Sequence, residues 1–311
     1  MEYRNFEVLV ERARALPGKR RCVVAGAEDE HVLEAVLAAE KAGIIGLPVL
    51  TGNARHVAEL VRSLGGAPDR CVLSDVPDGE NPAQRAVELI ASGAGDFLVK
   101  GRMDTKDLLK PVVDRANNLH TEDSPSGGLM SHLAFFQIPG VDRLVVVTDG
   151  GMVVYPDLNR KKGLILNAVT TLRAMGWERP RVAVLCAIEK LNPKMRETVE
   201  AAELTEMNRR GEIDGCIVEG PISYDVAMSP EIAAIKGYES ENCGRFDVLL
   251  TPDMTAGNLL GKSLLVSAHA QLAGIVVGAK IPVVVTSRGS SAEEKFHSIA
   301  LCAVASAPHL D

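Results

Sequence analysis

Residues 281–295 read IPVVVTSRGSSAEEK. An apolar strand ends in Thr286-Ser287-Arg288-Gly289, and a helical pattern starts a few residues later. These residue types at this spacing suit phosphate chemistry. Thr286, Ser287, Ser290 and Ser291 offer hydroxyls, and a turn at Gly289 can present backbone N–H groups. Arg288 offers a planar fork matched to two phosphate oxygens. A strand-to-helix exit is also where open α/β sheets hold their ligands. The same pattern also fits a well-capped helix with a surface arginine.

Other segments place polar or cationic groups at strand ends. Lys100-Gly101-Arg102 follows the apolar run Asp96–Val99, and Ser131-His132 closes a long polar loop. Lys280 sits in the otherwise apolar VVGAKIP, where burial would depress its pKa unless an anion stabilised its charge. The run AGNLLGKS, residues 256–263, imitates a phosphate loop and contains Asn258 and Lys262. Ala256 replaces the first glycine, and NLLGKSLL continues a helical period. A helix with a solvated lysine is therefore expected there, without nucleotide hydrolysis.

The elements that must position these groups alternate along the chain. Strands are expected at 21–25, 46–51, 70–74, 96–99, 132–138, 143–148, 181–187, 215–219, 247–251, 273–277 and 282–286. Helices are expected at 28–42, 53–64, 81–92, 104–114, 158–175, 193–210, 225–236, 255–272 and 291–306. Asn53 and Ser291 are expected N-caps, Pro82 opens a helix, and Glu293 and Glu294 lie in a first turn where they suit the helix dipole. This alternation predicts an α/β fold with helices on both faces of parallel sheet. The strands outnumber one typical sheet, so two α/β lobes with a cleft between them are expected.

Composition narrows the class. The 311 residues are 46% apolar and 24% charged but only 4% aromatic, so Ala, Val, Leu and Ile must build the core. A net charge of −7 argues against nucleic acid as a partner. Cys22, Cys71, Cys186, Cys216, Cys243 and Cys302 form no CxxC pair and are expected to be reduced thiols, mostly buried. Histidine spacing gives no metal motif, so no metal is expected. The charged start, MEYRNFEVLVERARAL, is not a signal peptide, and no apolar run reaches the roughly 18 residues of a membrane span. A cytoplasmic protein with no membrane partner is expected.

Several segments together resemble the phosphate acetyltransferase and butyryltransferase family, the butyryl branch most closely. They are DFLVKGRMDTKDLLKPVV, LMSHLAFFQIPGVDRLVVVTDGGM with YPDL, VEGPISYDVAMSPEIAAIKG, and the run from VLLTPDMTAGNLLGKS to SSAEEKFHSIAL. The resemblance covers nearly all of the chain after about residue 20, in the family's order. It implies two three-layer α/β/α lobes of the isocitrate/isopropylmalate dehydrogenase type, with residues 1–138 plus 280–311 in the first and 139–279 in the second. It implies a homodimer, acyl-CoA and inorganic phosphate as substrates, and no permanently bound cofactor, coenzyme A being a substrate. The implied reaction moves a short acyl group, butyryl favoured, between CoA and phosphate; acetyl transfer, or an impaired binder of CoA or acyl phosphate on the same fold, is the alternative.

The family's phosphate-binding pair falls on Ser287 and Arg288, with Thr286, Gly289 and Lys280 beside it. The acetyl branch's base falls on Glu294, and Glu293 matches an acid of the butyryl branch. The family's Gly-Asn…Lys helix carries Asn258 and Lys262. An arginine that the acetyl branch uses is absent between Ser131 and Gln137, leaving His132 and Lys100 as candidates for its place. Ser290 stands where the butyryl branch often has Asp.

Overall fold

The computed structural model describes residues 3–120, 123–287 and 289–307. In chain order, the first stretch holds α1 (Phe6–Arg14), β1 (Cys22–Ala25), α2 (Glu30–Lys41), β2 (Val49–Gly52), α3 (Ala54–Ser63), β3 (Val72–Asp75), α4 (Pro82–Ala91), β4 (Phe97–Lys100) and α5 (Thr105–Val113). The middle stretch holds β5 (Ser131–Gln137), β6 (Leu144–Thr148), α6 (Leu158–Met175), β7 (Arg181–Leu185), α7 (Arg196–Arg209), β8 (Ile217–Ile222), α8 (Tyr224–Met228), α9 (Pro230–Lys236), β9 (Val248–Leu250) and α10 (Met254–Ser267). The chain then adds β10 (Gln271–Val277), β11 (Val283–Val284) and α11 (Ala292–Ala305).

These elements pack as two compact units. One comprises Phe6–Ser124 with Ala273–Asp311, and the other Met1–Asn5 with Pro125–Leu272. The boundaries differ from 1–138 plus 280–311 and 139–279. The reason is local: β5 pairs antiparallel with β6, Phe135 facing Val146, which draws 125–138 into the unit of the middle stretch.

In the first unit the strand order is β3-β2-β1-β4-β11-β10. β1 pairs in parallel with β2 and β4, and β11 lies parallel to β4, with Val283 beside Leu98. Strands β1 and β4 are buried along their whole length, which is why they read as continuous apolar runs. Helix α11 packs on α1 and α2, where Phe6 stacks on His297 at 4.5 Å. The second unit orders its strands β5-β6-β9-β7-β8 around a core that includes Phe136, Val145, Val147, Leu249 and Phe246.

Caps set the helix starts. Asn53 accepts from His56 N at 3.0 Å, Asn81 from Ala83 N at 2.9 Å, and Ser291 from Glu294 N at 3.1 Å. Each such cap is worth about 1 kcal/mol. The expected single helix over 225–236 is two, because Pro230 opens a new helix with Ser229 as its cap. The expected helix over 255–272 stops at Ser267. His269 takes φ 54°, a left-handed turn that ends the helix before β10. No helix among the described residues is long and apolar enough to cross a membrane.

Candidate active site

The first unit contains a cavity of about 900 Å³. Its lining comes from segments that leave the carboxyl ends of β1, β3, β4 and β11. Asp29 follows β1, Asn81 follows β3, Lys100 and Met103 lie at the exit of β4, and Thr286 and Ser287 follow β11. This is the sheet edge at which parallel α/β proteins bind ligands. Asp29 and Asn81 also cap α2 and α4, so two helix N-termini meet at the cavity, where their dipoles favour an anion.

The exits of β1 and β4 lie flat on each other. Gly101 N donates to Ala25 O at 2.9 Å, and Arg102 N to Gly26 O at 2.8 Å. A Cβ on Gly101 would stand 2.0 Å from Gly26 O, so only glycine allows this approach. The single Thr51 hydroxyl proton lies between Val24 O and Pro82 O, 3.0 and 3.1 Å from Oγ1, tying β2 to β1 and to the start of α4. Lys100 is 9% exposed, and its ammonium donates to Met103 O at 3.0 Å and Gly101 O at 3.3 Å. The rim is different: Glu80, Asp104, Asp107 and Arg102 are exposed. The buried cations of the lining are therefore Lys100 and Lys295, while most of its carboxylates face water.

The turn after β11 is tied to α11. Ser287 Oγ lies 3.1 Å from Ser290 Oγ, and Ser290 Oγ donates to Glu294 Oε1 at 2.6 Å. Lys295 Nζ donates to Ser290 O at 2.5 Å. Ser298 Oγ donates to Glu294 O and accepts from Gly274 N, anchoring the first turns of α11 to β10. Burial pushes the Glu294 carboxyl above its usual range, opposed by the Ser290 hydrogen bond and the Lys295 charge. Glu293 is exposed in the same turn. Arg288 lies outside the described residues.

The structure thus gathers Lys100, Thr286, Ser287, Glu294 and Lys295 in one unit around one cavity and its supporting turn. It does not bring Lys280 into that lining. The Lys280 side chain is exposed and donates to Asn118 Oδ1 at 2.9 Å, while its backbone N donates to Leu119 O. Ser131, His132, Asn258 and Lys262 belong to the other unit. There Asn167 Nδ2 donates to Ser131 Oγ, and His132 N donates to Asp149 Oδ2 at 3.0 Å. Burial lowers the His132 pKa, with Asp149 opposing. Asn258 Nδ2 donates to Gly150 O at 3.2 Å, and Lys262 is exposed on α10. The phosphate-loop imitation is helix throughout, as its period required.

Sequence reading did not single out Lys295. A signal was present: Lys295 shares a helical stripe with Ser298, Ile299 and Cys302, three, four and seven positions on. Those partners are buried, and Lys295 is 5% exposed. No group of three or more His, Cys, Asp or Glu among the described residues could hold a metal ion.

The profile described as Phosphate acetyl/butaryl transferase matches residues 77–303, which include most of the cavity lining and all of the first turn of α11. The phosphate acetyltransferase of Thermotoga maritima is 41% identical over 96% of this chain and 99% of its own length. The phosphate butyryltransferase of Clostridium beijerinckii is 38% identical over 98% of each chain. The crystal structure of a branched-chain phosphotransacylase from Enterococcus faecalis V583 superposes with a TM-score of 0.82 at 30% identity, covering 93% of this chain and 100% of that one. With profile, full-length relatives and fold in agreement, the chain belongs to the phosphate acetyl/butaryl transferase family.

Proposed function

We propose that the cavity of the first unit carries reversible transfer of a short acyl group, butyryl favoured, between coenzyme A and inorganic phosphate. The observation that carries this reading is the Ser287–Ser290–Glu294 hydrogen-bond chain running from the cavity lining to a half-buried carboxylate. A phosphate oxygen attacks the thioester carbonyl carbon. The C–O bond forms as the carbonyl becomes an oxyanion, and collapse breaks the C–S bond to release CoA thiolate. In reverse, the CoA sulfur attacks the acyl phosphate and phosphate leaves. A free thiol has a pKa of about 8.5, so a base assists at neutral pH.

Glu294 takes the thiol proton in this reading, because it, rather than exposed Glu293, connects to the cavity through Ser290. Thr286, Ser287 and the Gly289 turn hold the phosphoryl oxygens, with Lys100 supplying charge from below. The role of Arg288 as the bidentate phosphate ligand comes from the family resemblance. So do roles for His132, Asn258 and Lys262 in substrate binding, while those of Ser131 and Lys280 come from their places in the sequence. Of these, Lys280 has the least support from its surroundings, since its ammonium is engaged by Asn118. The residues need no bound cofactor beyond CoA as substrate.

Acetyl transfer is a second reading, favoured by the 41% identity to the Thermotoga enzyme. Two three-layer lobes of the isocitrate/isopropylmalate dehydrogenase type and a homodimer come from the resemblance. A cytoplasmic setting is supported by the free state of the six cysteines. Thiol release measured across acyl-CoA lengths, with phosphate supplied and omitted, tests the reaction. Release that depends on phosphate and peaks at butyryl is expected. Binding without release would instead leave an impaired binder of CoA. Arg288→Ala should abolish release while the protein stays folded.

A further inference from the structure

We propose that Lys295 is a phosphate-binding residue, supplying from inside the cavity a second positive charge for the phosphoryl group. The inference rests on the acyl-transfer reading of the same site and names a residue which that reading does not use.

Lys295 is 5% exposed and lines the cavity together with Thr286 and Ser287. A buried ammonium is costly unless its charge is met. Among the described residues it makes no ion pair. Its one hydrogen bond from Nζ to a described residue runs to the carbonyl of Ser290. An ammonium has three donors, so two remain for a ligand. The Ser290 carbonyl fixes its direction at the turn that carries Ser287. The other charges of the lining cannot substitute equally. Arg102 is exposed and screened by water, and exposed Glu80, Asp104 and Asp107 would repel an anion from the rim. Lys100 spends two donors on the carbonyls of Gly101 and Met103.

Lys295 lies in the first turn of α11. It also stands next to Glu294 in sequence, so one residue influences both the anion and the carboxylate.

The test compares wild type with Lys295→Met, which keeps chain length and apolar volume, and Lys295→Arg, which keeps the charge. In the phosphate-consuming direction, Lys295→Met should raise the KM for phosphate about tenfold to a hundredfold, the worth of a charge-assisted hydrogen bond. The KM for acyl-CoA should stay within about twofold. In the thiol-consuming direction, the acidic limb of the pH–rate profile should move to higher pH, because Glu294 loses a nearby cation. Lys295→Arg should recover much of the phosphate affinity. An unchanged phosphate KM and an unmoved limb in a folded Lys295→Met protein would overturn the proposal.

A measurement on the wild type needs no variant. Phosphate should slow amine acylation of Lys295, read by mass spectrometry, relative to exposed Lys110 on α5. Equal slowing at both lysines, or none, counts against the proposal. If wild type releases no thiol with phosphate, the acyl-transfer reading fails, while phosphate protection still judges Lys295 separately.

Discussion

The Ser290 hydroxyl donates to Glu294 Oε1 across 2.6 Å. A serine hydroxyl has one proton to give. While Glu294 is ionised, Ser290 therefore accepts from Ser287, 3.1 Å away. Protonating Glu294 lets the chain reverse, so that Ser287 can donate into the cavity. The protonation state of the carboxyl is thereby coupled to what Ser287 offers a ligand.

A pH dependence follows. The Glu294 carboxyl is held above its usual value of 4.5 by burial. Below that raised pKa it is protonated and cannot take the thiol proton. The rate of acyl transfer from acyl phosphate to CoA should fall as pH drops through it. Glu294→Gln should remove this limb and lower kcat by about 100-fold or more. Glu293→Gln should leave both unchanged. A limb that survives in Glu294→Gln places the base elsewhere.

The same shift predicts a stability gain. A carboxyl whose folded pKa lies above its unfolded value loses stability as pH rises between the two. At neutral pH the ionised Glu294 is therefore a net cost to the fold. Glu294→Gln should melt no lower than wild type at pH 7 by calorimetry, although it is less active. A melting temperature several degrees lower would contradict the assigned direction.

Ser290→Ala separates positioning from charge. It removes the hydrogen bond that lowers the Glu294 pKa, so the acidic limb should shift upward. It also disconnects Ser287 from Glu294, so kcat should fall about tenfold while the KM for CoA changes little. The profile and the two constants, measured together, distinguish this from simple loss of fold.

Gly101→Ala tests the floor of the cavity. Its new methyl would press on the carbonyls of Ala25 and Gly26, both backbone and unable to yield cheaply. The expected cost is about 1–3 kcal/mol or more in a denaturant titration, with loss of activity. Gly43→Ala, where no atom lies within 4 Å but φ is +71°, should cost only backbone strain and spare activity.

The thiols should be slow. Burial pushes Cys71 and Cys216 up to about 11 and Cys186 to about 12, and raises Cys22 and Cys302 further. A chromogenic disulfide reagent at pH 8 should therefore titrate the native protein far more slowly than the unfolded chain, in which all six react.

Much of the site was legible because local rules agreed with the fold. The caps at Asn53 and Ser291, the helix start at Pro82 and the helical period of 256–263 needed no tertiary context. Helices misread at Pro230 and His269 failed through a proline start and a left-handed turn, which periodicity does not register. The unit that takes 125–138 follows from a hairpin in which Gln137 meets Leu144, and a strand pattern alone does not say which neighbour a strand pairs with. Lys280 and Lys295 show the same limit from opposite sides. An apolar neighbourhood suggested burial for Lys280, which lies exposed, while a charged run hid Lys295, which does not.

Strand β11 slots beside β4 only after the whole second unit has been made. On the ribosome, β1 to β4 must wait with one flank unpaired while 125–272 is synthesised at about 5–20 residues per second. Residues 125–272 are all made before the cavity acquires Thr286, Ser287 and Lys295. Premature termination between 273 and 282 should therefore yield a protein that lacks Thr286, Ser287 and Lys295 and keeps a sticky sheet flank at β4, a ready substrate for chaperones and proteases.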